Sequence, residues 1–478
     1  RTTNIGDLMS LIIPANSAAA ASGYDVDYSC RFDNARSGDS ASDYLTRTYT
    51  AGNRRTFTIS FWIKRWGLKV SSWQQVLGQY DVGADQLFRV GYNSGEQGDI
   101  IRCYGAPGGF EFRTTALYRD VSAWYHVVLA IDTTQSTEAN RAKLYVNGTQ
   151  VTSFVTANYP SQNTELHYNE GKAHSIGRAG GGNQGLPAYL AQLISIDGTA
   201  YAASDFGEFS DDGIWTPIDV SGLTFGSQGF FLDFADAADL GDDESGNGND
   251  WTETGIAAIN QVTNTPTNNF ATGNPLFYFG TGGTASATVD MSDGNLTYTS
   301  GSTAWRTAAA TIAVSSGKWY METKVISGTN YSRIGVSDLY EANAIGAGQF
   351  YLGYKALQIG YDNGGSRYTS DSGTSYGATY TAGDIIGVAL DLDSGTKTVT
   401  FYKNNASQGA VTLPSSASST NEWLFMQSQY GTVHSANYGN PVVALSSAAA
   451  DANEYGAFEY APPSGYYALC TKNLAEYG

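Results

Sequence analysis

At 478 residues the chain exceeds what one hydrophobic core organises, so several domains are expected. A formal net charge of -19 excludes a nucleic-acid binder, which needs a basic footprint to displace counterions. Three cysteines, Cys30, Cys103 and Cys470, are too few and too scattered for a disulfide framework, and no apolar run approaches the ~20 residues of a membrane helix.

The run Leu8 to Pro14 followed by Ala18 to Ala21 has the apolar and small residues of a signal peptide. Asp7 and Pro14 interrupt it and its basic region is Arg1 alone, so residues 1–29 are expected to form an N-terminal arm that docks elsewhere. From Tyr44 onward the pattern has period two. In Thr56 to Ile63, Phe57, Ile59, Phe61 and Ile63 share one face and Thr56, Thr58 and Ser60 the other, the signature of a sandwich strand. Further strands are expected at Gln75–Gly78, Leu87–Val90, Ile100–Cys103, Trp124–Ile131 and Ala142–Val146. Asn147-Gly148 marks a two-residue hairpin turn after the last of these. A similar sequence recurs downstream, where Gly383 to Asp393 leads through a turn to Thr398–Lys403 and then Asn404-Asn405. Both halves therefore read as antiparallel sandwiches, and the protein as all-β.

Midway lies a run dense in Asp, Asn and Gly, from Asp242 to Trp251, where the backbone must turn. With Asp243 at its first position, Ser245, Asn247 and Gly248 fall where an EF-hand loop has ligands and its glycine, but Thr254 stands in place of the bidentate Glu. An EF-hand is not expected. Asp243, Asn247, Asn249 and Asp250 remain candidate calcium ligands, with a solvated turn as the alternative.

Three resemblances follow from longer stretches. Arg31-Phe32, Tyr44-Leu45, Phe57 to Ile63, Trp124 to Val127, Lys143 to Gly148 and Ser175 to Arg178 resemble, in order and spacing, the laminin-G-like, concanavalin A-type lectin/glucanase fold. Gly317 to Glu322, Ile334 to Val336, Gly383 to Gly387, Leu390 to Asp393, Val399 to Asn404 and Ala436 to Gly439 resemble a SPRY domain. Leu193 to Ala200, Phe206 to Phe209, Trp215 to Pro217, Ser245 to Trp251, Thr265 to Ala271 and Pro462 to Leu474 are similar to proteins of tailed, particularly marine, bacteriophages. The resemblances imply two concanavalin A-like/SPRY-type antiparallel β-sandwiches joined by an ordered linker. The N-terminal arm would be followed by a laminin-G-like domain over 30–235, a Gly/Asn/Thr/Pro-rich connector over 236–285 and a SPRY-like domain over 286–478. Laminin-G-like sandwiches often hold Ca2+ at a sheet rim, which is what the resemblance adds to the Asp243 loop.

Catalytic signals are sparse. The Glu-x-Asp-x-x-Glu or Glu-x-Asp-x-Glu strand of concanavalin-type glucanases does not occur, and Asp391 and Asp393, which share a strand face, sit at the edge of a turn. His126, His167, His174 and His434 lack metal-ligand spacing, and no Gly-x-Ser-x-Gly elbow is present. His126 is read as a surface or inter-sheet histidine. The 33 tyrosines and nine tryptophans exceed what two cores hide, so some are expected in binding loops. The candidates are Tyr351, Tyr354, Tyr361, Asp362, Asn363, Arg367 and Tyr368 in the second half and Trp66 and Trp73 in the first. Such residues suit protein interfaces and sugar stacking alike.

The expectation is a non-enzymatic phage virion protein at the particle surface, in a tail fibre, spike or head decoration. Its partners would be other virion proteins, further copies of itself, and a host surface glycan or protein, with no nucleic acid and no membrane insertion. The alternatives are a polysaccharide-degrading enzyme of the glucanase class and a decoration protein without a ligand.

Overall fold

The computed structural model describes residues 23–34, 41–68, 73–79, 88–91, 99–107, 109–180, 182, 184–277, 289–301, 305–328, 330–343 and 351–478. The N-terminal arm through residue 22 and the 278–285 end of the expected connector lie outside these. The chain divides into two compact units between Thr267 and Asn268. Both are all-β as expected, with antiparallel pairing between the long strands and one short parallel addition, Tyr467–Ala468 beside Lys318–Ser327.

In the first unit, one sheet runs in the order Thr149–Gln150, Ala142–Val146, Tyr125–Asp132, Thr56–Arg65, Pro187–Asp197, Ser29–Asp33 and Gln261–Val262. The facing sheet is built around Trp73–Gln79, Ala173–Ile176 and Tyr44–Thr48. Phe57, Ile59, Phe61 and Ile63 point together into the core between them, as the period-two pattern requires. The Asn147-Gly148 hairpin forms with φ of 46° and 74°, the left-handed pair a type I′ turn needs. Gly148 is required twice over, because a Cβ there would run into the ring of Trp215.

The second face of the Thr56–Arg65 strand departs from the simple two-layer picture. Thr58 and Ser60 are buried, because the chain from residue 199 to 225 returns over the sheet and adds a third layer of Phe206, Val220 and Phe225, packed on Val128, Ile194 and Phe231 of the sheet itself. His126 is buried in the same place, stacked on Trp62 at 4.7 Å and on Trp215 at 6.0 Å. The Trp215 indole N–H donates to Nδ1 of His126 at 3.0 Å, so Nε2 carries the proton and donates to Ser60 Oγ at 2.8 Å. The pair is thus oriented the wrong way for histidine to activate the serine, and burial lowers the His126 pKa to about 3.

The expected connector is shared out between the units. Trp251 packs in the first core, Thr252–Thr254 and Gln261–Val262 extend its two sheets, and Ser29 Oγ donates to Asn264 O at 2.7 Å. Past Thr267 the chain joins the second unit through the bridges Phe270 to Cys470 and Gly273 to Ala310. Apolar residues at Trp251 and Phe270 explain the division, since each is buried in a core of its own side.

One sheet of the second unit runs Asp290–Ser292, Thr297–Thr299, Val433–Asn437, Lys318–Ser327, Ile385–Asp391, Thr398–Lys403 and Ala406–Thr412. The other runs Arg306–Ala309, Trp423–Gln429, Ser332–Asp338, Gln358–Asp362, Ser366–Thr369 and Ser372–Ser375. Trp319, Met321, Ile334, Val336, Val388, Leu390 and Phe425 fill the space between. The downstream hairpin closes at Asn404-Asn405 with φ of 46° and 68°, the same turn that Asn147-Gly148 makes. The C-terminal helix Thr471–Tyr477 buries Leu474 against this core.

Lys64, on the outer face of the Thr56–Arg65 strand, is fully buried near the Tyr189 ring. Burial pulls its pKa down from 10.5 to about 7, partly offset by the Asp120 carboxylate. Between those values the unfolded chain binds more protons than the folded one, so the stability of this unit rises with pH from about 7 to about 10.5. Lys64→Met is expected to stabilise the unit by about 1–4 kcal/mol at neutral pH. It should also flatten that rise in urea unfolding followed against pH.

Candidate functional site

The strand Ser332–Asp338 alternates as its sequence dictates. Ile334 and Val336 face the core, so Arg333 emerges on the opposite face of the sheet. Its register partner on the next strand is Asp362, and Arg333 Nε lies 3.6 Å from Asp362 Oδ2. That contact is an ion pair, and the guanidinium donates a hydrogen bond from Nη1 to Leu352 O at 3.2 Å. The arginine side chain is only 7% exposed, because aromatic rings enclose it. Its Cζ lies 3.5 Å from the centre of the Tyr368 ring, 4.4 Å from Tyr351 and 5.3 Å from Trp305. Desolvated cation–π contacts of this kind contribute ~2 kcal/mol, so the guanidinium acts as a prop that fixes the rings.

Around this prop the rings continue outward. Trp305, Tyr331 and Tyr430 form a triangle with each pair of centres 6.1 Å apart. Trp305 also meets Tyr351 at 5.1 Å, and Tyr351 meets Tyr354 at 5.4 Å. Tyr351 donates to Asp371 Oδ1 at 2.6 Å, and burial together with that bond pushes its hydroxyl pKa up to about 12. Gly353, at φ 86°, lets the backbone pass Tyr368, where a Cβ would lie 2.6 Å from the tyrosine Cβ. Tyr331 is 62% exposed at the apex of the patch. The result is a set of aromatic rings supported by an enclosed cation, with Tyr331 reaching into solvent, chemistry suited to stacking on apolar or sugar faces.

The sequence reading found part of this patch. Tyr351, Tyr354 and Tyr368 come together there, and Asp362 is the counter-ion of Arg333. Asn363 shapes the adjoining turn, donating to Asn330 O at 2.8 Å and accepting from Ser332 N at 3.2 Å. Tyr361 faces the core instead, packed on Phe401 and Tyr380, and Arg367, its register partner, is on that same inner face. Trp66 and Trp73 are also interior. The Trp66 indole donates to Phe32 O at 3.1 Å, and the Arg102 guanidinium covers Trp73 at 5.4 Å. The part of their loop over 69–72 lies outside the described residues. Arg333, Trp305, Tyr331 and Tyr430 were missed. The outward position of Arg333 in an alternating strand was a readable signal, whereas the rings meet only through sheet pairing.

The loop around Asp243 is organised as a hydrogen-bonded staple. Asp243 Oδ1 accepts from Phe231 N at 2.8 Å and Ser245 N at 2.9 Å, and Oδ2 accepts from Asn249 N and Ser245 Oγ, both at 2.8 Å. Asp250 Oδ1 accepts from Asp243 N at 3.2 Å. Asn247 and Asn249 turn their amide nitrogens to Gly229 O, at 3.0 and 2.7 Å, and Asn249 Oδ1 takes a hydrogen bond from Arg47. To ligate calcium together, these oxygens would have to give up their donors. Asp239 and Asp242 lie beside them, with carboxyl pKa values raised by partial burial and by the charges of Glu253 and Asp250 respectively. In the other unit, Asp391 and Asp393 serve their turn. Asp391 accepts from Ser394 and Lys318, and Asp393 Oδ1 accepts from Gly317 N at 2.7 Å.

A polar cleft of about 260 Å³ opens in the first unit beside Asp132, Asn140, Lys143, Tyr145 and Tyr201. It sits on the face of the Tyr125–Asp132 and Ala142–Val146 strands that bears Ala130 and Lys143, opposite the inward Leu129 and Leu144.

Comparison with known proteins agrees with this division. Residues 39–196 match the family model of the concanavalin A-like lectin/glucanases superfamily, and residues 318–420 match the SPRY domain. The chain combines a laminin-G-like, concanavalin A-type domain with a SPRY domain. Among solved structures, the SPRY domain of human HERC1 is similar at 18% identity, over 30% of this chain and 87% of that one, with a TM-score of 0.25. Another human SPRY domain is similar at 15% identity, over 31% and 92%, with a TM-score of 0.24. No curated protein matches the chain. The aromatic patch lies on the SPRY domain's second sheet and its adjoining loops, and the Asp243 staple follows the matched segment of the first domain.

Asp243→Asn is expected to lower stability by about 2 kcal/mol, since it weakens bonds from backbone donors to a buried charge. Thermal unfolding with and without EGTA separates the two origins of loop order. A hydrogen-bonded staple gives the same Tm in both, whereas a calcium-held loop melts lower with the chelator.

Proposed function

We propose that this chain is a non-enzymatic attachment protein of a virion surface, displaying two β-sandwich modules, and that the aromatic patch around Arg333 contacts a host surface glycan or protein. The observation that carries this reading is the patch itself. Three rings, Trp305, Tyr351 and Tyr368, pack on one enclosed cation, and Tyr331, Tyr354 and Tyr430 pack on those rings, with Tyr331 largely in solvent. Pre-fixed rings lose little conformational freedom on binding, so apolar contact converts more fully into affinity. The polar cleft beside Lys143 supports a second, weaker contact of the same kind, with tyrosine faces and amide and carboxylate groups suited to hydroxyl-rich ligands.

The similarity of Ser245 to Trp251, Thr265 to Ala271 and Pro462 to Leu474 to tailed-phage proteins supports placement on a particle. Appendages of that kind are usually symmetric, so the protein is expected to act as a homo-oligomer among other virion proteins. The use of Asp391 and Asp393 as turn acceptors supports binding over hydrolysis in the SPRY domain.

Tyr331→Ala and Trp305→Ala should each weaken binding to host cells or envelope fragments at least tenfold. Thermal stability should change little for Tyr331→Ala, whose side chain is largely in solvent. Unchanged binding would overturn the assignment of the patch. The virion placement is checked by immunogold labelling of purified particles, and release of new reducing ends from host polysaccharide would overturn the non-enzymatic reading.

A further inference from the structure

After its last long strand the SPRY domain sends residues 438–460 back across the outer face of Lys318–Ser327, and one side chain fastens this strap. Glu322 is 3% exposed. Its Oε2 accepts from Glu459 N at 2.8 Å, and its Oε1 accepts from Tyr460 N at 2.9 Å and from the Tyr320 hydroxyl at 3.2 Å. Asn437, the register partner of Glu322, donates to Ala457 O at 2.8 Å, and Ser446 N donates to the Glu459 carboxylate at 2.8 Å. Between these fastenings Pro441, Val443 and Leu445 lie over a cleft that Glu322, Lys324 and Ile385 line from the sheet.

We propose that Glu322 is a proton-operated latch: neutral, it holds residues 441–460 closed over the sheet, and ionised, it loosens the strap and opens the cleft beneath. The geometry makes the neutral form workable. A protonated Glu322 still offers an acceptor to each strap amide, and its own O–H can turn to the Tyr320 hydroxyl, which both donates and accepts. Ionisation places a charge among Tyr320, Phe458 and the strap, where little water can solvate it.

The surrounding groups leave Glu322 as the one to change. Lys324 is on its own strand, Asp384 precedes the neighbouring strand, and Glu459 and Tyr460 come from the strap. Tyr320, Tyr402 and Tyr460 have hydroxyl pKa values raised above their usual range, chiefly by burial, and stay neutral. Bonds from Ser446 hold the Glu459 carboxyl below its ordinary pKa, and bonds from Thr381 and Asn404 do the same for Asp384, so both stay ionised. For Glu322, burial outweighs the two strap amides and raises the pKa from 4.5 to about 7, with Glu459 adding repulsion. A raised folded-state value means the latch contributes fully below about 4.5 and is lost as pH climbs through about 7.

In that window each opening event releases one proton, so the opening constant of the strap should rise about tenfold per pH unit. Native-state hydrogen exchange of amides in 441–460, corrected for intrinsic rates, reads this directly between pH 5 and 8, with the rise levelling off above about 7. The expected result is that slope in the wild type and a flat profile in Glu322→Gln. A flat wild-type profile, or the same slope in the variant, would overturn the latch. Should the variant fail to fold, the side-chain carboxyl carbon resonance of Glu322 in the wild type decides instead: a midpoint near 7 supports the latch and one near 4.5 sinks it.

Discussion

Backbone N–H groups outside the strand ladders must find acceptors, and in this acidic chain a few buried carboxylates supply them. Asp243 gathers the 231–249 loop, and Asp338 accepts from Tyr340 N, Ser419 Oγ and Asn421 N. Asp451 accepts from Tyr455 N, Gly456 N and Ala468 N. Each carboxylate gathers the donors of a turn, and Asp243 and Asp451 also reach Phe231 N and Ala468 N in other segments. A carboxylate has room for about four donors, so a single buried residue satisfies a whole turn, and the desolvation of its charge is offset by charge-assisted hydrogen bonds. The net charge of -19 is therefore only partly a surface property.

The aromatic patch obeys the complementary rule. A buried guanidinium needs a counter-ion and ring faces, and Arg333 obtains Asp362 on one side and Tyr368, Tyr351 and Trp305 on the others. A lysine would keep the charge and lose the planar stacking, so the rings would no longer share one support. Rigidity at the surface is thus bought from a polar group beneath it, which is why the most exposed ring, Tyr331, stands over residues that are themselves enclosed.

Strand faces and turns were legible in the sequence because they are local. Phe57 to Ile63 repeats at the strand period, and Asn147-Gly148 and Asn404-Asn405 meet the positive-φ demand of a tight hairpin. Layering was not legible. Thr58, Ser60 and His126 read as an outer polar face, yet a return segment covers them and each finds a polar partner there: Thr199 O for Thr58, and one another for Ser60 and His126. The candidate site was half legible for the same reason. Tyr351, Tyr354 and Tyr368 cluster in sequence, whereas Trp305, Tyr331 and Tyr430 reach them only through strand register. Trp66 and Trp73 show the converse, aromatic residues in a polar stretch that the first core absorbs.

Covering layers also determine where binding chemistry can appear. In each unit the long central strand presents its second face to a returning segment. Phe206, Val220 and Phe225 cover the Thr56–Arg65 sheet, and Phe458, Ala468 and Cys470 cover Tyr320 beside Glu322. A covered face has to be filled with partnered polar groups or apolar side chains, and it is closed to ligands while the cover stays in place. The outer face of the sheet that carries Arg333 is covered in part, by Phe277, Leu339, Ala342 and Leu352 against Ala309, Leu424 and Met426, and beside this cover Trp305, Tyr331 and Tyr351 gather near the guanidinium. Aromatic residues can gather on that face without competing with the packing of the sandwich, because Ile334 and Val336 on the same strand already meet the demands of the core from the opposite side.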